Sequence, residues 1–171
     1  MDFIPDHLAP HLRIVFVGFN PSLRSGATGH HYANPRNRFW QIIYRAGLTP
    51  RLFQAEEDGD LIELGYGFTN IVARPTRTAA EITAEEYAEG RQQLRQKIEM
   101  YKPRAVCFVG KGVYEKYSGR TGINWGVQAD PVVEGVYEFV APSSSGLVRM
   151  KLDEIVSIYA QLTEALDSGG E

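Results

Sequence analysis

Cysteine is almost absent: the 171 residues contain one, Cys107, inside the apolar run AVCFVG. A disulfide framework and a cysteine metal site are both excluded, and a buried, inert thiol is expected. No stretch approaches the roughly 20 apolar residues that span a bilayer. The opening MDFIPDHLAPHLR also lacks a basic leader followed by an apolar run. A soluble, cytoplasmic, non-secreted protein with no membrane partner is the expectation. The G-x-G-x-x-G fingerprint and the P-loop spacing are missing too, which argues against a flavodoxin-like nucleotide or flavin binder. No Cys or His follows the His30-His31 pair at ligand spacing, so neither a metal nor a cofactor is expected. Positive charge is not in excess: the formal net charge is −3, which argues mildly against nucleic acid, because neutralising phosphates supplies most non-specific affinity.

The distribution of charge qualifies that sum. Acidic residues gather in Glu56 to Asp60, in Glu81 to Glu89 and near the C-terminus. Arg24, His30, His31, Arg36, Arg38, Arg74, Arg77, Lys111 and Arg149 fall in segments that read as loops or loop edges. If those loops converge, a basic rim exists on an acidic protein.

Length and a 43% hydrophobic content suit one domain, assigned to residues 1–166, with DSGGE (167–171) a disordered tail. Four β-branched or apolar runs read as strands: 13–18, 67–72, 105–110 and 136–142. Helical patterns lie between and after them, at 37–46 closed by Gly47, 83–101 closed by Pro103, 113–117 closed by Gly119, and 152–166. Thr83 and Glu86 fit a capping box at the start of the longest. Strands alternating with helices imply right-handed crossovers and an α/β fold with a mainly parallel sheet. Ligands bind such sheets beyond the carboxyl ends of the strands.

Five segments there carry chemistry. In Gly18-Phe19-Asn20-Pro21-Ser22, proline holds Asn20 extended and glycine permits close approach, which suits either an Asx-type turn or an amide fixed at the sheet edge. The stretch from Gly29 to Trp40 is dense in aromatic and basic groups; Phe39 and Trp40 read as helix core and Tyr32 as the aromatic facing a ligand. Asn70 is an amide in an apolar strand, explained equally by a structural bond or by a pyrimidine edge. Val109-Gly110-Lys111-Gly112 opens a helix in a way that suits an anion. In 141–149, small hydroxyls and glycine permit approach to a phosphate backbone, and Leu147 could wedge into the gap left by an extruded base.

In this order, GFNPS, GHHYANPRNRFW, GFTNIVARPT, VGKGVYE and PSSSGLVR resemble the thymine-DNA glycosylase and mismatch-specific uracil-DNA glycosylase family of the uracil-DNA glycosylase superfamily. The resemblance covers nearly the whole chain. It implies a three-layer α/β/α fold and metal-free, monofunctional excision of uracil, and of thymine or related damaged pyrimidines, opposite guanine. An abasic site would be left for base excision repair. The implied partner is double-stranded DNA with G:U or G:T mismatches, met by a monomer in a bacterial, nucleoid-associated setting. By resemblance Asn20 is the catalytic asparagine that holds the attacking water, and Gly18, Phe19, His31, Tyr32, Asn70 and Thr76 form the base pocket. Pro21, Ser22, Lys111, Ser143, Ser144, Ser145, Gly146, Leu147 and Arg149 are the implied DNA contacts, with Leu147 the wedge and Arg149 its rival. A binding module that retains damaged DNA without cutting it is the reading of another class.

Overall fold

The computed structural model describes residues 4–168. Strand β1 (Ile14–Gly18) lies between β2 (Tyr66–Asn70) and β3 (Ala105–Val109), and β3 pairs in turn with β5 (Tyr137–Ala141), all in parallel. A two-residue β4 (Gly126–Val127) adds an antiparallel edge, giving the order β2-β1-β3-β5-β4. The four expected strands are present, each a residue or two shorter, with β2 beginning one residue earlier than expected. β4 was not expected, because two residues are too few to show a period.

Strand alternation divides the core between the two faces of the sheet. Ile14 and Phe16 face α2 (Phe39–Arg45) and α5 (Leu152–Ser168), while Val15 and Val17 face α3 (Ala84–Tyr101) and α4 (Lys111–Ser118). The result is the expected three-layer α/β/α arrangement. Each fully buried Phe of this core contributes about 1.5–3 kcal/mol. Cys107 is wholly buried on the first face, and burial pushes its thiol up, so it stays protonated. Among the described residues, no helix is long and apolar enough to cross a membrane.

Local signals set the helix ends. The Thr83–Glu86 capping box opens α3, and Gly119 closes α4 in the left-handed region. Helix α4 begins at Lys111, directly after β3 and two residues earlier than its apolar spacing suggests. Helix α5 runs on through Asp167 and Ser168, which corrects the start of the expected disordered tail; residues 169–171 lie outside the described part. Two elements carried no readable period: the short α1 (Leu23–Thr28) and a 3₁₀ stretch over Ala55–Leu64.

Helix α3 packs on the chain just beyond β2 through Gly90, where an added Cβ would run into the Ile71 carbonyl oxygen. Gly90→Ala is therefore expected to destabilise the protein by about 1–3 kcal/mol, overpacking outweighing alanine's helix advantage of about 1 kcal/mol. Urea denaturation measures this, and a variant as stable as the parent would show that α3 is free to shift.

Candidate active site

The segments that follow β1, β2 and β5, with Val109 at the end of β3, line a cleft of about 790 Å³ at the carboxyl edge of the sheet. Gly18, Phe19, Asn20, Pro21, Ser22, His31, Tyr32, Asn70, Thr76, Ser143, Ser144, Ser145, Gly146 and Leu147 all line it. Lys111 and Arg149 do not: the Lys111 ammonium lies 4.2 Å over the Trp125 ring, and Arg149 is exposed outside the lining. The anion site expected at the start of α4 is thus not part of the cleft, which takes only Val109 from that segment.

Asn20 is held in one orientation. Its Nδ2 donates to the Arg74 carbonyl at 2.7 Å and to Thr76 Oγ1 at 2.8 Å. The Thr76 hydroxyl hydrogen is directed to the Thr78 carbonyl at 2.7 Å, so Thr76 can only accept from Asn20. Both amide hydrogens are used, and Oδ1 is the end left to accept a bond in the cleft. The Thr76 backbone N–H, donating to the Pro21 carbonyl at 3.2 Å, fastens the two loops together. Ser22 caps α1 by accepting from the Ser25 N–H at 3.1 Å.

Gly18 faces Asn70 across the β1–β2 pairing, and a Cβ on Gly18 would lie 2.7 Å from Asn70 Oδ1 and 3.4 Å from the Tyr32 hydroxyl. Glycine there leaves room for both side chains at the pocket floor. Asn70 makes no side-chain hydrogen bond among the described residues, so the structural-bond explanation for this amide fails. Tyr32 adopts a left-handed backbone (φ 52°), and its ring stacks on Phe39 with centroids 4.0 Å apart and planes 10° from parallel. Burial pushes the Tyr32 phenol up, so it is uncharged. His31 is buried, with Nε2 2.9 Å from the Pro5 carbonyl and the ring stacked on Phe68. Burial lowers its pKa and keeps the imidazole neutral.

Six buried side-chain polar atoms among the described residues lack a partner, and three of them, Tyr32 Oη, Arg38 Nε and Ser144 Oγ, belong to the lining. Unpaired buried polar groups are costly and rare, and half of those found here belong to residues that line the cleft. A model of the uracil DNA glycosylase superfamily matches residues 5–166. The chain belongs to that superfamily. The fold agrees with the solution NMR structure of a candidate uracil DNA glycosylase from Methanosarcina acetivorans, at 22% identity and a TM-score of 0.58, covering 95% of this chain and 98% of that one. Membership of this superfamily makes the chain a hydrolase of N-glycosidic bonds in DNA.

Neither aspartate nor glutamate lines this glycosylase cleft among the described residues, whereas Arg36, Arg38 and Arg77 do. Part of the expected basic rim therefore forms. Arg74 is not free for phosphate: it forms a 2.7 Å ion pair with Glu86 and pulls that carboxyl down to about 2. Arg38, which sequence reading treated only as rim charge, shapes the loop after β5. Its guanidinium donates to the Ser145 carbonyl at 3.2 Å and the Val148 carbonyl at 3.5 Å, and its backbone N–H donates to the Ser144 carbonyl at 2.9 Å. Gly146 packs so closely that a Cβ would lie 2.6 Å from the Arg36 carbonyl, and next to it Leu147 is 89% exposed. Asn34, Asn37 and Ser25 line the cleft as well; polar residues in loops are too common for sequence to single them out.

Thr76→Val removes the acceptor that orients Asn20 while keeping the side-chain shape. Uracil excision under single turnover is expected to slow by roughly tenfold, about 1–1.5 kcal/mol for a lost hydrogen bond. An unchanged rate would show that the amide is oriented without Thr76.

Proposed function

We propose that this protein is a mismatch-directed glycosylase of the thymine-DNA and mismatch-specific uracil-DNA glycosylase type. It extrudes uracil, and thymine or related damaged pyrimidines, from opposite guanine and hydrolyses the glycosidic bond, leaving an abasic site. It acts alone on double-stranded DNA in the cytoplasm. The observation that carries the reading is the Asn20 amide, pinned through both hydrogens with its oxygen left unbonded, in a residue that lines the same cleft as Tyr32.

Within a duplex the sugar carbon is shielded, and extruding the base costs a few kcal/mol, less from a mismatched pair. Guanine mispairing is thereby read partly as weakness. The flipped base lies on Tyr32, whose ring is backed by Phe39. Bond cleavage leaves cationic character on the sugar and negative charge on the base, which N–H donors stabilise. Asn70 and the backbone N–H groups near Phe19 and Asn20 supply them. Asn20 Oδ1 accepts from a water and aims it at the sugar, but an amide cannot take its proton. With no carboxylate in the lining among the described residues, general-base acceleration of roughly 10² or more is missing, and the enzyme is slow and dependent on leaving-group quality. Leu147 fills the gap in the duplex, on a loop whose shape Arg38 holds.

Asn20→Ala is expected to lower single-turnover excision from a G·U duplex by roughly 10² or more, the scale of misplacing a reactant. Abasic sites are read by alkaline strand cleavage, and unchanged cleavage removes Asn20 from the mechanism. Leu147→Ala and Arg38→Met are both expected to impair excision from duplex while sparing single-stranded substrate. Equal losses on the two substrates would contradict the wedge.

A further inference from the structure

Histidine is scarce, at four residues, yet three of them converge on one carboxylate, Asp58, which is not part of the cleft lining. Asp58, in the 3₁₀ stretch, is 2% exposed. Its Oδ2 accepts from the His31 backbone N–H at 2.7 Å and lies 3.3 Å from His7 Nε2, and its Oδ1 is 3.1 Å from His30 Nδ1. No lysine or arginine pairs with it among the described residues. A buried carboxylate held by one backbone N–H and two imidazoles, with no lysine or arginine beside it, is a favourable place for a cation. His7 Nε2 is itself buried with no hydrogen-bond partner, its approach to Asp58 being out of line for one. One ring nitrogen each of His7 and His31 and an Asp58 oxygen lie within 4.8 Å of one another.

We propose that His7, His31 and Asp58 form a binding site for a divalent transition-metal ion, zinc by its donor set. The ion would tie the N-terminal segment to the loop that carries Tyr32. Two imidazoles and a carboxylate are a zinc ligand set, with a water completing four-coordination, whereas calcium and magnesium prefer all-oxygen cages. Around zinc such donors sit about 3.4 Å apart, so the cluster must close by roughly an ångström. His7 has room to do so: its side chain is 21% exposed, and its backbone is paired only through the Phe68 bridge. The outer contacts that orient metal ligands are in place, since a His31 ring nitrogen meets the Pro5 carbonyl at 2.9 Å and His30 holds the second Asp58 oxygen. Sequence spacing concealed the site because His7 lies before β1 and Asp58 lies 27 residues beyond His31, neither at ligand spacing from the His30-His31 pair.

The test is independent of the glycosylase reading, because it measures metal and not excision. The full chain, purified without a polyhistidine tag, is dialysed to equilibrium against zinc chloride, and cobalt(II) is added separately to read tetrahedral absorption bands. One equivalent of zinc is expected, together with those bands. His7→Phe, with folding checked by circular dichroism, is expected to weaken binding by at least about tenfold, while His11→Ala, which alters the exposed histidine outside the cluster, leaves it unchanged. His7→Gln replaces the phenylalanine variant if that one does not fold. Failure to bind one equivalent, retention of full affinity without His7, or equal loss in the His11 variant would overturn the site.

Discussion

The parallel register of β1 with β2 sets Gly18 opposite Asn70, and the cleft grows out of that pairing. Because four strands run the same way, the segments leaving them emerge on one edge of the sheet, and β1 lies between neighbours reached in opposite directions. That arrangement opens a crevice which needs no special side chain to exist. Glycine at position 18 deepens it, since any Cβ there would displace the Asn70 amide. Asn20, two residues on, is carried past the sheet edge to meet the loop that follows β2.

Around this opening the described residues place dipoles, hydroxyls and arginines rather than carboxylates. The chain Asn20 to Thr76 to Thr78 ends at a backbone carbonyl, so the orientation of the amide is set by groups that cannot change charge. The neutral His31 imidazole and the un-ionised Tyr32 phenol add no charge of their own. On the proposed mechanism the site therefore stabilises a departing anion and positions water without proton transfer from the protein. A slow reaction with low tolerance for poor leaving groups is the chemical consequence.

Overall charge and local charge point in opposite directions. The molecule carries a formal −3, but the acidic runs occupy the Ala55–Leu64 stretch and α3, while arginines reach the cleft. Not every arginine there contributes to the field: Arg74 is matched by Glu86, and Arg38 holds carbonyls of the loop bearing Leu147. Steering toward a polyanion rests on the few that remain, and it is screened over about 8 Å at physiological salt.

Four strands, the long helices, their caps and the motif residues at the strand ends were legible in the sequence, because hydrophobic period, capping and strand-end position are local properties. Asn20, Asn70 and the serine loop were found that way, Tyr32 by the density of aromatic and basic groups around it, and the fold brings them to one cleft. The fate of Lys111 was not legible: a lysine after a strand looks the same whether it points at a ligand or over Trp125, and Trp125 lies beyond α4, just before β4. The Arg38 contacts and the cluster about Asp58 were hidden for the same reason, since each joins segments far apart in the chain. Sequence alone determined which residues stand at the sheet edge; tertiary packing decided which of them face each other, because pairings across the fold leave no period in the chain.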